Sequence, residues 1–126
     1  MDKVEEVNEL NTILNTVKKT IGISIDDSSF DVDLILYINS VILILSQLGL
    51  SEADTTPIID DATTWIQFLG DRKDLEIVKS YIHFKVKLMF DPPSNTASIK
   101  AITDIISEHE WRITNSNTIK EVIINE

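Results

Sequence analysis

The sequence has no cysteine, and only three glycines and three prolines among its 126 residues. Without cysteine, neither a disulfide framework nor a thiolate metal site can form, which fits a reducing compartment. So little glycine and proline argues against a loop-rich or disordered chain. Histidine is nearly absent too: His83 and His109 are the only two, and neither stands at metal-ligand spacing or in a motif such as H-E-x-x-H. There is no glycine-rich phosphate loop and no nucleophile-elbow serine. The acid pairs Asp26–Asp27 and Asp60–Asp61 fall in polar turns, where they read as solvated or capping residues rather than a tuned acid/base pair. Nothing in this pattern argues for an enzyme, a cofactor or a bound metal. The longest apolar run, residues 34–45, is broken by Asn39 and Ser40. It is too short for the about 20 apolar residues of a membrane span. The opening "MDKVEEVNEL" is acidic and polar, unlike a secretory signal peptide.

What is present is apolar content and negative charge. Hydrophobic residues make up 43% of the chain, enough at this length for one domain with a real core. The net charge is −10, and residues 1–61 carry twelve acids against three lysines. Such a surface disfavours general binding to phosphate backbones, which rests on Lys and Arg. Two readings of it stand: solubility, or an acidic face that meets a basic partner or resembles nucleic acid.

Helical spacing organises most of the chain. Val4, Val7, Leu10, Leu14, Val17 and Ile21 predict an amphipathic helix over residues 4–21, stopped at Gly22. A second helix is expected over 31–48, with aspartates at its start and Gly49 at its end. It is apolar around most of its circumference, and so should be central. Asn39, Ser40, Ser46 and Gln47 mark its narrow polar strip, and Leu36 and Leu43 lie within that strip. They are either ordinary exposed leucines or a subunit contact. A third helix is expected over 71–90. It has one stripe of Leu75, Val78, Ile82, Val86 and Met89, and a second of Ile77, Tyr81, Phe84 and Leu88. Two stripes imply two packing neighbours. Lys85 falls between them, either snorkelling to water or reaching an acid on a neighbouring chain.

The long connection over 50–70 carries Trp65 and Phe68, read either as plugs for the end of the core or as part of a partner-contact loop. In "FDPPS", proline pushes Asp91 out of the helix, and Pro92 and Pro93 form a rigid extended pair. Ser94 or Asn95 can cap the next helix. That fourth helix is expected to end near Arg112, with Ile99, Ile102, Ile106 and Ile113 on one stripe and Trp111 well off it. Trp111 packs within the domain or makes a lateral contact. The chain thus divides into a helical domain, residues 1–113, and an extended C-terminal tail, 114–126, whose "NSN" reads as a turn and whose order is expected on assembly. The expected fold is all-α: a small bundle of about four helices, with a long loop between the second and third.

The order "INSVILILSQLG", "TWIQFLGD", "VKSYIHFKVKLMFDPPS" and "HEWRI" resembles the head–tail connector (adaptor) proteins of tailed bacteriophages, most of all those of phages and prophages of Gram-positive bacteria. The likeness covers residues 10–113, and its most specific piece is the aromatic-basic helix running into "LMFDPP", followed by "EWR". It implies a virion structural protein at the head–tail junction, assembled in the bacterial host cytoplasm. It implies a homo-oligomeric ring of about twelve subunits under the portal protein, with a tail-side completion protein as a further partner. DNA would pass through the channel without specific binding, and no enzyme activity is implied. The residues themselves nominate Leu36, Leu43, Lys85 and Trp111 as subunit contacts. They nominate Trp65 and Phe68 for the partner-contact loop, and Asp91, Pro92 and Pro93 for the structural corner. The competing reading is an acidic regulatory binder, a nucleic-acid mimic or an inhibitor of a basic partner.

Overall fold

The structure is a computed structural model that describes residues 12–50, 61–69 and 76–125, with side chains through residue 115. Val4, Val7, Leu10, Leu75 and residues 51–60 lie outside the described residues. Five helices are described: α1 (Ile13–Ile21), α2 (Asp31–Gln47), α3 (Trp65–Leu69), α4 (Glu76–Phe90) and α5 (Thr96–Asn125). No strand is formed among the described residues, only an isolated antiparallel bridge between Thr12 and Thr64. The fold is an all-α bundle.

Local chemistry sets the helix ends. The Thr12 side chain accepts from the Asn15 N–H and caps α1. At the other end, Gly22 takes a left-handed φ of 86°. Its N–H donates to the Lys19 carbonyl, and the Ile23 N–H to that of Lys18, the Schellman pair. α2 closes the same way: Gly49 has φ 107°, its N–H donates to Ser46, and that of Leu50 to Leu45. Both expected glycine stops are therefore real, and each frees the chain to reverse.

The core sits where α1, α2, α4 and the front of α5 meet. α2 contributes Leu34, Ile38, Val41, Ile42 and Leu45, and α1 contributes Ile13, Leu14, Val17 and Ile21. α4 lies centrally, packed against α1, α2 and α5, one neighbour more than its two apolar stripes imply. Its Val78, Tyr81, Ile82 and Val86 are buried, while Met89 at the end of the first stripe stays exposed.

A buried ion pair anchors the turn between α1 and α2. Lys18 is only 1% exposed, and its Nζ donates to the Ile25 carbonyl at 3.1 Å and to Asp31 Oδ1 at 2.9 Å. An ammonium buried without such partners would be strongly unfavourable.

The corner at Asp91, Pro92 and Pro93 ends α4 with trans prolines. Of the two expected caps it is Asn95 that acts: its side chain accepts from the Ser98 N–H at 2.7 Å. Phe90 meets Phe30 edge-on at 5.1 Å and tilts against Tyr37 at 6.5 Å, which ties the corner to the start of α2. α5 then runs back along α4, fastened by Tyr81–Glu110 and Ser80–His109.

The expected end of this helix near Arg112 is corrected. α5 continues to Asn125, so the segment set apart as an extended tail is helical backbone. "NSN" does not break it; the Asn115 amide donates to the Trp111 carbonyl one turn back and stays within the helix. At 1.5 Å per residue α5 is about 45 Å long, twice the described length of α4.

Candidate assembly surface

The outer face of α2 is the first notable surface. Val32, Leu36 and Leu43 are 81%, 63% and 61% exposed, at spacings that align them on one side of the helix. The strip they share with serines is less polar than its letters suggest. Ser40 donates its hydroxyl to the Leu36 carbonyl and Ser46 to that of Leu43, so both hydroxyls are spent on the helix itself.

Trp111 stands on α5, 68% exposed. One turn of solvent-facing charge borders it, with Arg112 bound to Glu108 at 2.8 Å. α2 and α5 both pack on α4, so the apolar strip and Trp111 project from the helices that flank it. Lys85, on α4, is half-buried and pairs with no acid among the described residues.

Trp65 and Phe68 are built into this chain's own core, 7% and 6% exposed. The indole N–H of Trp65 donates to Thr16 Oγ1 at 3.0 Å, and the Ile13 N–H donates to the Thr63 carbonyl at 2.9 Å. Of the two readings offered for these aromatics, the plug describes where their side chains lie. The apolar side chain that the segment turns outward is Ile66, 70% exposed. A sequence signal for this docking was available in "TWIQ". Thr64 and Gln67 form a reciprocal capping box, each side chain accepting from the other's backbone N–H.

Ile66 borders an open cleft of about 780 Å³, lined also by Thr12, Asn15, Asp26, Asp31 and Asp61. Part of this acidity has a structural use. Asp31 holds Lys18; outside the cleft lining, the Asp27 carboxylate, lowered in pKa by its hydrogen bonds from Ser29, pins the turn before α2.

The two histidines, distant in sequence, both lie against Phe84 of α4, His109 reaching it from α5. The Phe84 ring centroid lies 5.0 Å from His83 and 6.2 Å from His109. Among the described residues no group of three or more His, Cys, Asp or Glu is placed to hold a metal ion. No described helix is long and apolar enough to cross a membrane.

The described residues thus present an all-α body with an exposed apolar strip on α2 and an exposed tryptophan on α5. Comparison with known proteins is consistent with that body. No curated protein and no solved structure matches the chain significantly. A family model described as phage connector protein matches residues 13–120, from the start of α1 deep into α5 and past residue 113. With most of its length matched, the chain belongs to the phage connector protein family.

Proposed function

We propose that this phage structural connector is a ring-forming head–tail adaptor, seated under the portal and presenting the docking site for the tail. The observation that carries the reading is the exposed apolar strip of α2 together with the exposed Trp111 of α5, on the two helices flanking α4. A ring closed by rotation joins one face of each subunit to a different face of the next. Leu36 and Leu43 supply one such face and Trp111 the other, with Lys85 reaching an acid of the neighbour. The loop held in place by Trp65 and Phe68 meets the portal or a tail-side completion protein, as does the helical segment of α5 after residue 113. The acidic surface suits a channel through which DNA slides, because like charge repels phosphate. The protein's place is then the virion's head–tail junction, reached by assembly in the host cytoplasm.

Pro92 and Pro93 fix how α4 hands over to α5, and in a ring an error in that angle repeats in every subunit. Mixing the chain with its cognate portal, followed by size analysis and electron microscopy, tests the reading. Stoichiometric rings are expected. They should be lost in the Leu36→Asp/Leu43→Asp variant and in Trp111→Ala while the subunit stays folded. Rings that form unchanged in both variants would sink the assignment of these faces.

A further inference from the structure

Two imidazoles that the connector function does not use lie against Phe84 of α4: His109, which joins α5 to α4, and His83, which faces α1 and α3. His109 Nε2 shares a hydrogen bond with Ser80 Oγ at 3.0 Å. The other ring nitrogen, Nδ1, is buried without a partner, and so is Nδ1 of His83. A neutral imidazole needs one donor and one acceptor, whereas the protonated ring has two donors. Here each added proton would place an N–H, and a charge, in a site with no acceptor for it.

The surroundings give little help to a positive charge. From α1, the side chains around His83 are Thr16, Val17 and Thr20, and from α3 it is Trp65; none is charged. They line a cleft of about 210 Å³ with Lys79, and Lys87 acts on His83 as a second like charge. From α4, His109 meets Ser80 and Phe84, both neutral. Among nearby charges, Glu108 favours a proton on His109 and Arg112, bound to Glu108 at 2.8 Å, opposes it, with burial the larger effect; Glu110 accepts from the Tyr81 hydroxyl at 2.7 Å.

We propose that α5 is held on α4 by an acid-sensitive latch, in which neutral His109 bonds Ser80 of α4 and neutral His83 backs Phe84, the ring that His109 packs on, and that the latch loosens when the two imidazoles take up protons. The direction follows from linkage. Burial pushes both imidazoles below the ordinary histidine value, so the closed joint resists a proton that the opened joint accepts. The latch is fully closed above about pH 6.5 and weakens as pH falls below it. His83 also faces α1 and α3, whereas α2 supplies none of the side chains named around either ring and serves as the reference. The net charge of −10 works in the opposite sense, since protonating carboxylates relieves self-repulsion, so the effect is sought in the difference between α5 and α2.

The test uses the full chain. Nuclear magnetic resonance follows the two imidazole rings from pH 8 to 5, and hydrogen-exchange protection factors are measured for residues 99–113 and 34–45. Both rings are expected to titrate below about pH 6.5. Protection in α5 should fall about tenfold on acidification while that of α2 holds. The fall should vanish in H83Q/H109Q. Titration at or above the ordinary value, an equal fall in both helices, or the same fall in the double variant each overturns the proposal. Should the double variant fail to fold, the ring titration and the two-helix comparison in the unmodified chain still decide it.

Discussion

The two faces of α2 are made from the same kinds of residue and have different fates. Leu34, Ile38, Val41, Ile42 and Leu45 are wholly or almost wholly buried, while Val32, Leu36 and Leu43 face outward. Burying one such side chain contributes about 2 kcal/mol, and an exposed one contributes nothing to the isolated subunit. Hydrophobicity alone therefore does not say what a residue stabilises. The inner face holds the subunit together. On the proposed reading, the outer face holds subunits to one another, with its gain offset by the cost of association.

Four substitutions separate these roles, in decreasing order of their expected effect on the subunit. Ile38→Ala opens a cavity at a fully buried position and should cost about 4 kcal/mol, read from the midpoint of urea denaturation. Lys18→Ala removes the buried ammonium and leaves Asp31, which is partly exposed, without its partner. A loss of roughly 3 kcal/mol is expected by the same measurement, and an unchanged midpoint would show that the pair does not anchor the turn. Thr64→Ala breaks the capping box that seats α3 and should cost about 1 kcal/mol. Trp65 fluorescence would report any undocking of the indole, best measured in a Trp111→Phe background. Leu43→Asp, on the outer face, should move subunit stability by less than about 0.5 kcal/mol while weakening assembly on the portal. A large loss of subunit stability from Leu43→Asp would erase the distinction between the two faces.

Much of this was legible in the residue spacing. The apolar positions of α2 and α4 foretell which sides bury, and Gly22 and Gly49 stop their helices through the left-handed turn that only glycine adopts easily. The end of α5 was not legible, because "NSN" looks like a turn and propensity is a weak guide. In place, the Asn115 side chain bonds within the helix instead of interrupting it. The position of Trp65 was open between two readings because its hydrogen-bond partner, Thr16, lies far away in sequence. Lys18 carried no warning either. At its position on the inner side of α1, a lysine is reasonable only once Ile25 and Asp31 are brought over it.

The sequence by itself determined the helical class, the stops at glycine, the corner at Pro92 and Pro93, and the absence of cysteine chemistry. These depend on backbone preferences and on spacing along a single helix, which neighbouring residues settle between themselves. Only the tertiary structure decided that Lys18 is buried with Asp31, that Trp65 closes onto Thr16, and that His109 of α5 reaches the Phe84 ring that His83 also touches. Those outcomes depend on which helices meet and at what register, and helical period carries no record of either.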